Sequence, residues 1–410
     1  MIALTSSIIM LILSVPVFAV IILLTIYLYK QQSIPLTAII IEFMRLGSMP
    51  SLVAIPLFSF AGFILAHSNA PKRLFNLLST IFGNFKGGIV LAAIISASIF
   101  TAFSGASGIT VIALGGLIYQ ILKEAGYSDK FSLGLISTTG SLGLLIPPSL
   151  PIILYSVVAK IDINILFKKS LTYAILIIIV FYLYSLTISK KMDIPKQKFS
   201  LIKIKNSLIE SAWEIPLPIF VVGGIYMGII TASEAATITV VYVIVVECFI
   251  KKEVKINELL EISKKTMLLV GAIFIVLASA LAFTNYIVDA QIPENIFNFI
   301  SKYITNKYLF LIILNIIILA INMIEIFSAI IIVVPIIVPV AINYGIDPLH
   351  LAIIFLINLE LGYMTPPFGI NLFLSSMRFN KKLTEIYRYV IPWWLIIFTS
   401  LIIATYIKPF

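Results

Sequence analysis

Two double prolines, Pro147-Pro148 and Pro366-Pro367, stand beside glycine and hydroxyl residues inside long apolar stretches. A proline within a helix lacks an N–H and clashes with the carbonyl four residues earlier. Each pair therefore predicts a broken helix with unbonded carbonyl oxygens, those of Gly143, Leu144, Gly362 and Tyr363. In lipid such oxygens need a partner, and a set of neutral oxygens suits a hard cation such as Na⁺.

A polar tip precedes each double proline inside another apolar segment. Residues 88–122 carry no charge, and their middle, residues 104–108, is rich in serine and glycine, which form helices poorly. Each arm of about 16 residues would reach only about 24 Å, less than the hydrocarbon core of roughly 30 Å. The pattern predicts a re-entrant hairpin, and residues 308–343 repeat it around residues 322–328. Two full spans in each segment remain the alternative.

Together the tips and the breaks predict two cation sites and one anion site. The first cation site comprises Ser104, Gly105, Ser107, Gly140, Ser141, Gly143 and Pro147. The second comprises Asn322, Met323, Glu325, Gly362 and Thr365. No Lys or Arg lies in the middle of a span, so an anion must be held by helix N-terminal amides and neutral donors. The candidates for this are Ser107, Thr110, Ser149, Gly369 and Asn371, although Asn371 could instead satisfy its own helix.

Four carboxylates lie within apolar runs, where a charge usually marks a functional site. Glu325 could neutralise a cation or orient the second tip, and Glu360 precedes the second break by a few residues. Glu247 is expected at the membrane interface, because basic residues end its span. Glu234 begins a helix, so both a capping role and a transport role are open. No acid repeats in the first half, which favours neutral oxygen ligands over a proton relay.

Composition fixes the class of protein. Of the 410 residues, 61% are hydrophobic and 11% are charged, against roughly 25% charged in a soluble domain. At about 20 apolar residues per spanning helix, the length allows on the order of ten crossings in one polytopic bundle. One cysteine and two histidines exclude a disulfide framework and a zinc cage. The net charge of +10 lies in loops and sets topology rather than binding nucleic acid.

The two halves of the chain repeat these features at a fixed offset. Pro147 and Pro366 are 219 residues apart, and Gly126 and Gly345 each precede that proline by 21 residues. An odd number of spans between residues 51 and 267 would invert the second copy. The arrangement resembles the inverted-repeat secondary transporters. It predicts an all-α polytopic membrane protein with two re-entrant helical hairpins and two broken transmembrane helices.

The repeat also predicts domain organisation and orientation. The expected parts are 1–50 (scaffold helix and interfacial arm helix), 51–189 (first repeat, hairpin 88–122, broken helix 133–158), 190–266 (linking scaffold helices) and 267–410 (second repeat, hairpin 308–343, broken helix 351–375). Twenty of the 28 Lys and Arg residues lie in loops predicted on one side, which is therefore cytoplasmic. These loops are residues 68–88, 122–132, 190–214, 251–266 and 376–389. Both termini are then expected on the periplasmic side. A poorly ordered loop is the alternative for the arm helix.

Five ordered motifs resemble a known family. They are residues 54–62 (AIPLFSFAG), 103–110 (FSGASGIT), 141–151 (SLGLLIPPSLP), 223–236 (GGIYMGIITASEAA) and 358–373 (NLELGYMTPPFGINLF). They are similar to the large membrane (M) subunit of tripartite ATP-independent periplasmic (TRAP) transporters, over nearly the whole chain. The resemblance implies a Na⁺-coupled importer of organic acids such as dicarboxylates or sialic acids. It also implies an elevator-type movement of the hairpins and broken helices against an outer scaffold.

The same resemblance implies partners and a location. A periplasmic substrate-binding (P) protein delivers the organic anion, and a small membrane (Q) subunit completes the permease in the bacterial inner membrane. The first apolar run leads almost directly into the motifs, so the small subunit is expected as a separate polypeptide. Three departures from the family pattern concern Ala106 (for serine), Asn322 and Glu325 (for glycine and aspartate) and Ala232 (for proline). Ala106 puts one hydroxyl ligand of the first cation site in doubt. Asn322 and Glu325 put the second cation site in doubt.

Other classes remain as alternatives to this interpretation. A stand-alone Na⁺/carboxylate symporter would work without a binding protein. A channel would need a ring of pore-lining charges, and an intramembrane enzyme would need a His, Cys or Asp constellation. The sequence shows neither feature. A secondary active transporter subunit, rather than an enzyme, is therefore the prediction.

Overall fold

Most of the described residues lie in helices. The computed structural model describes Ser6, Met10, Leu13, residues 15–192, Ile194, residues 200–323 and residues 326–407. In chain order the α-helices are α1 (Val17–Gln31), α2 (Thr37–Gly47), α3 (Ala54–His67), α4 (Ala70–Phe82), α5 (Gly88–Ser104), α6 (Ser107–Ala113), α7 (Gly115–Glu124), α8 (Asp129–Leu142), α9 (Leu150–Ala159), α10 (Ile163–Lys191), α11 (Leu201–Glu210), α12 (Pro216–Met227), α13 (Ala232–Ile244), α14 (Ile256–Asp289), α15 (Ile292–Ser301), α16 (Lys307–Asn322), α17 (Ile326–Asn343), α18 (Pro348–Met364), α19 (Ile370–Phe379) and α20 (Leu383–Tyr406). Among the described residues, six helices are long and apolar enough to cross a membrane. The all-α polytopic prediction is confirmed.

The two broken helices occur where the double prolines predict them. α8 ends at Leu142, a 3₁₀ turn covers Gly143–Leu145, and α9 begins at Leu150 after a bend of 42°. α18 ends at Met364 and α19 begins at Ile370. The peptide bond between the two prolines is cis in both breaks. The helix axis is therefore interrupted at both double prolines.

Both broken helices begin at side-chain caps in equivalent positions of the repeat. The Ser128 hydroxyl accepts a hydrogen bond from the Phe131 amide at 3.3 Å. The Asp347 carboxylate accepts one from the Leu349 amide at 2.7 Å. Such caps satisfy amides that a helix start leaves unpaired. Ser128 and Asp347 are separated by the same 219 residues as the prolines, so the repeat extends to the helix starts.

The first hairpin is interrupted at its predicted tip. α5 ends at Ser104, Gly105 has a φ of 68°, and α6 begins at Ser107. Glycine adopts this left-handed conformation without the Cβ clash of other residues, so the chain reverses there. Behind the tip, a hydrogen bond between the hydroxyls of Thr101 and Thr110 joins the two arms.

The second hairpin is interrupted at the corresponding place. α16 ends at Asn322 and α17 begins at Ile326. Glu325, which the sequence assigns to the second cation site, lies outside the described residues. On the first arm, Asn315 accepts two hydrogen bonds from the Asn358 amide of α18, at its main-chain oxygen (2.9 Å) and its side-chain oxygen (3.0 Å). These bonds fix the arm against the second broken helix.

The broken helices form the core of the molecule. Every residue from 131 to 142 in α8 and from 351 to 364 in α18 is buried. In α10, by contrast, only 22% of the residues in its most apolar 18-residue stretch are buried. Apolar side chains that remain exposed suit a lipid environment. The functional elements are thus enclosed by helices whose outer surfaces are apolar.

Helices extend into the segments predicted as loops. α4 lies within residues 68–88 and α11 within residues 190–214. In the predicted loop 251–266, α14 begins at Ile256 and continues for 34 residues to Asp289. The Glu258 carboxylate accepts a hydrogen bond from the Lys255 amide at 3.1 Å, which stabilises the helix start. The segment is polar but rich in Lys, Glu and Leu, which are good helix formers. Its polarity marks solvent exposure rather than the absence of a helix.

Arg73 of α4 pairs with three glutamates, and Glu247 is one of them. The Arg73 Nε donates to Glu214 at 2.6 Å, and Nη1 pairs with Glu253. Glu247 lies 3.5 Å from Nη2 and is only 1% exposed. It is therefore buried against an arginine, a contact that the sequence does not indicate. Removing two charges from water requires such a close partner, and Arg73 comes from a distant part of the sequence.

Glu234 serves as a helix cap. Its carboxylate accepts a hydrogen bond from the Thr231 amide at 2.8 Å, and the Thr231 hydroxyl accepts one from the Glu234 amide at 3.3 Å. This reciprocal pair is a capping box at the start of α13. Of the two roles left open by the sequence, the structure supports capping.

Candidate substrate and ion site

The first tip and the second broken helix meet through one pair of polar side chains. The Ser107 hydroxyl lies 2.9 Å from Oδ1 and 2.6 Å from Nδ2 of Asn371. Nδ2 also donates to the main-chain oxygen of Ser137 at 3.2 Å. Ser107 and Asn371 are both fully buried. Asn371 therefore binds groups of α6 and α8, and the alternative that it serves only its own helix is wrong.

Two glycines let the first tip approach the first break. A Cβ on Gly140 would lie 3.0 Å from the carbonyl oxygen and 3.1 Å from the hydroxyl of Ser107. A Cβ on Gly143 would overlap the carbonyl oxygen of Ser98 in α5. Protein interiors do not tolerate such overlaps without backbone shifts. Of the first predicted cation site, the structure thus brings Gly140 against Ser107, while Gly143 packs on the arm α5 behind the tip.

The remaining residues predicted for the first half have more varied surroundings. The Ser141 hydroxyl donates to the Thr138 carbonyl at 2.8 Å, and the Thr110 hydroxyl pairs with Thr101. Ser104 is fully buried at the end of α5. The Ser149 hydroxyl is buried and has no hydrogen-bond partner among the described residues. Gly105 and Pro147 shape the backbone of the tip and of the break.

The expectation of unbonded glycine carbonyls at the breaks is wrong. The Gly143 oxygen accepts a hydrogen bond from the Ile146 amide at 3.1 Å, and the Gly362 oxygen accepts one from the Thr365 amide at 3.4 Å. In each break the chain tightens so that the amide three residues on replaces the missing proline donor. The two bonds occupy equivalent positions of the repeat. A carbonyl oxygen has a second lone pair, so coordination of a cation remains open to both.

The second tip packs directly on the second break. A Cβ on Gly362 would lie 2.8 Å from both the Cβ and the carbonyl oxygen of Asn322. Asn322 is 2% exposed, and within the described chain neither its Oδ1 nor its Nδ2 has a hydrogen-bond partner. Buried amides are normally paired with protein, water or ligand. Asn322 is therefore well placed to bind a ligand at the second tip.

Thr365 forms a hydrogen bond with a tryptophan that is not among the site residues predicted from the sequence. Its hydroxyl donates to the Leu361 carbonyl at 2.6 Å and accepts a hydrogen bond from the Trp394 indole at 2.8 Å. Trp394 lies on α20, outside both hairpins and both broken helices. Only the tertiary packing of α20 against the break reveals this contact. Gly369 lies nearby, since its Cβ would come within 2.9 Å of the Thr365 amide nitrogen.

One cavity of about 350 Å³ lies between the two tips. Its wall includes Ser107 and Gly108 of the first tip, Asn322 and Met323 of the second, and Gly362 of the second broken helix. In inverted copies, the tips of complete double spans would lie on opposite faces of the membrane. Two tips that line one cavity must instead end at the same depth. The shared cavity therefore supports re-entrant hairpins over double spans.

The described wall of this cavity carries no Lys or Arg. The start of α19 lies at this wall, where Ile370 lines the cavity and Asn371 lies in the first turn of the helix. The amides of a helix start favour anions. The serine, asparagine and main-chain oxygens nearby suit a monovalent cation. The arrangement can hold a carboxylate and a small cation next to each other.

Comparison with known proteins gives a match over nearly the whole chain. The family model described as "Tripartite ATP-independent periplasmic transporter, DctM component" matches residues 4–410. The C4-dicarboxylate TRAP transporter large permease protein DctM of Pseudomonas aeruginosa is 31% identical over 390 residues, which are 94% of this chain and 90% of that protein. The isethionate TRAP transporter permease protein DctMQ of Oleidesulfovibrio alaskensis is 31% identical over 90% of this chain and 58% of its own length.

A solved structure shares the fold. The crystal structure of the Alcanivorax borkumensis YdaH transporter superimposes with a TM-score of 0.63 at 12% sequence identity. The superposition covers 90% of this chain and 87% of that one. At this identity the similarity concerns the architecture alone.

Proposed function

This chain belongs to the family of DctM components, the large membrane subunits of tripartite ATP-independent periplasmic transporters, and on that premise we propose that it imports an organic acid by coupling to a Na⁺ gradient. The proposed substrate is an organic anion such as a dicarboxylate or a sialic-acid-like acid. The relatives named for C4-dicarboxylates and isethionate support an anionic substrate. The proposed location is the bacterial inner membrane, with both termini periplasmic.

The cavity between the two tips is the observation that carries this proposal. Ser107 lines this cavity, Asn371 follows the lining residue Ile370 in the first turn of α19, and the two side chains are hydrogen-bonded to each other. An arriving carboxylate would exchange that neutral hydrogen bond for charge-assisted ones, which are stronger. The protein therefore keeps its buried donors satisfied until the acid replaces the internal partner.

Cation binding would prepare this anion site. A Na⁺ at each tip would order the tip against its broken helix and so fix the positions of Ser107 and Asn322. The energetic cost of ordering is then met before the acid binds. By thermodynamic linkage, the acid must raise the affinity for Na⁺ by the same factor. The coupling of the two solutes follows from their adjacent positions in one cavity.

The rest of the transport cycle needs movement and partners. In the proposed elevator mechanism the hairpins and broken helices move as one body against the outer scaffold helices. A periplasmic binding protein delivers the acid, and a separate small membrane subunit completes the permease. The second candidate function is a Na⁺/carboxylate symporter that works without a binding protein. The dependence of uptake on that protein distinguishes the two.

Uptake into proteoliposomes tests the proposal. The chain is reconstituted with and without the small subunit, and a labelled C4-dicarboxylate, isethionate or sialic acid is supplied with and without the cognate binding protein. We expect accumulation of at least one acid only when an inward Na⁺ gradient and both partners are present. Accumulation with Na⁺ but without the binding protein would support the symporter. Accumulation that ignores Na⁺ and both partners would refute the proposal, and Asn371→Ala serves as the matched variant with weakened acid binding.

A further inference from the structure

Glu360 lies in the centre of the molecule without a partner for its charge. It belongs to α18, the first half of the second broken helix, and is 0% exposed. Neither of its carboxylate oxygens has a hydrogen-bond partner in the part of the chain that the structure describes. An isolated buried carboxylate is strongly unfavourable, because its hydration is lost and nothing replaces it.

The neighbouring side chain does not satisfy this carboxylate. α18 packs against α8 and the 3₁₀ turn of the first break, and the Ser141 hydroxyl of α8 lies beside Glu360. Ser141 donates its only proton to the Thr138 carbonyl at 2.8 Å. A hydroxyl that donates there offers only lone pairs to an ionised carboxylate, which is also an acceptor. Two acceptors held together in a buried place need either a proton on the carboxyl group or a cation between them.

Ser141 connects Glu360 with the first tip. It follows Gly140, whose Cβ position lies 3.0 Å from the carbonyl oxygen of Ser107. It precedes Gly143, whose carbonyl is part of the first break. The acceptors of the first predicted cation site therefore lie along one short stretch of α8, and Glu360 approaches that stretch from the other repeat.

We propose that Glu360 supplies the negative charge of the first cation site, where a bound Na⁺ lies between the Glu360 carboxylate and the Ser141 hydroxyl. This inference rests on the proposed Na⁺ coupling and names a ligand for it. The first repeat has no acid of its own at this site, and the second repeat provides one across the interface between the broken helices. The bound cation then links the two repeats directly.

The carboxylate explains how a cation could bind before the acid. A Na⁺ held only by neutral oxygens in a buried site would remain uncompensated until the anionic substrate arrived. With Glu360 present, the Na⁺ charge is balanced within the protein, and the attraction between the two buried charges offsets their desolvation penalty. Na⁺ binding should therefore stabilise the fold even without substrate.

A Na⁺ titration of thermal stability tests this role. The full chain, purified with the small subunit, is unfolded at increasing Na⁺ concentrations with choline added to keep the ionic strength constant. In Glu360→Gln, which preserves shape but removes the charge, the Na⁺ concentration for half-maximal stabilisation should rise about tenfold or more. Glu360→Asp keeps the charge but shortens the side chain, so its shift should be smaller. Glu234→Gln, altered at an exposed helix cap, is the matched control and should titrate like the wild type.

Each outcome of the titration has a distinct meaning. If the wild type is not stabilised by Na⁺ at all, the proposed Na⁺ coupling itself fails. If the wild type responds and Glu360→Gln responds at the same concentrations, the coupling stands and the role of Glu360 is refuted. An unchanged Na⁺ titration together with lost pH dependence of uptake would also refute it, since Glu360 would then bind a proton. Should Glu360→Gln not fold, the shift in Glu360→Asp decides.

Discussion

The Ser107 hydroxyl and the Asn371 amide are hydrogen-bonded to each other at 2.6–2.9 Å although 264 residues separate them in the chain. One belongs to the tip of the first hairpin and the other to the second half of the second broken helix. The bond therefore joins the two repeats at the cavity in which we place the substrate. Its two partners are also the donors that an organic acid would compete for.

Ser107 and Asn371 should act as a unit in substrate binding. We expect Ser107→Ala and Asn371→Ala each to raise the half-saturating acid concentration about tenfold, because each leaves a buried polar partner unsatisfied. The double variant should cost little more than either single variant. Concentration-dependent uptake in proteoliposomes measures all three. Independent, additive losses would show that the two side chains do not share a ligand.

Gly143 and Gly362 should be intolerant of a side chain. A Cβ at Gly143 would overlap the Ser98 carbonyl, and one at Gly362 would lie 2.8 Å from Asn322. Overpacking of this kind costs about 1–3 kcal/mol, so Gly143→Ala and Gly362→Ala should each lower the thermal midpoint and abolish Na⁺-dependent uptake. Gly271 is the matched control, since a Cβ there meets no heavy atom within 4 Å. Equal behaviour of all three alanine variants would contradict the close contact of tips and breaks.

The Trp394–Thr365 hydrogen bond should position the second break. Thr365→Val keeps the volume but leaves the Trp394 indole without its acceptor, and Thr365→Ser keeps the hydroxyl. We expect Thr365→Val to weaken the Na⁺ dependence of uptake and Thr365→Ser to restore most of it. The Na⁺ concentration for half-maximal uptake is the measured quantity. Identical values in the two variants would mean that the hydroxyl has no role there.

Much of the fold follows from the sequence because its signals are local. The double prolines break two helices, and the Ser/Gly tip interrupts the first hairpin, since these residues act on their own backbone. The offset of 219 residues between Pro147 and Pro366 was enough to reveal the repeat. The caps at Ser128 and Asp347 keep the same offset, so the equivalence reaches individual hydrogen bonds.

The contacts of the site depend on tertiary packing and could only partly be predicted. The sequence indicated Ser107 and Asn371 as candidates but not that they bind each other. It gave no sign that Trp394 reaches Thr365, because an aromatic residue in an apolar helix is common. The sequence also does not reveal that Arg73 pairs with Glu247, since the two residues lie far apart in the chain. Pairings of this kind are fixed only when the helices pack.

Arg73 should stabilise the packing of α4 in a pH-dependent way. Burial raises the pKa of Glu253, but hydrogen bonds from the Asn69 amide and from Arg73 outweigh this effect. The pKa is therefore held below its usual value near 4.5. A carboxyl with a lowered folded-state pKa stabilises the fold above its unfolded pKa, and this contribution is lost as the pH falls through the folded value. Glu253→Gln should therefore be less stable than the wild type at pH 7.

The difference in thermal midpoint between Glu253→Gln and the wild type should shrink as the pH falls below about 4.5. Arg73→Gln removes the common partner of three carboxylates and should cost about 3 kcal/mol or more at pH 7. Lys264, exposed and paired with Glu261 on a helix surface, offers a control, and Lys264→Gln should change the midpoint little. A midpoint difference that does not depend on pH would contradict the ion-pair account.

Thiol labelling of the two tips tests most directly whether they form one Na⁺-dependent site. In a Cys248→Ser background, single cysteines replace Ala106 in the first tip, Met323 in the second tip, or the exposed Tyr303 as a control, and each reacts with a water-soluble maleimide. We expect Na⁺, compared with choline, to slow labelling at both tips severalfold and to leave labelling at position 303 unchanged. Labelling at both tips with the same rate in Na⁺ and in choline would contradict it.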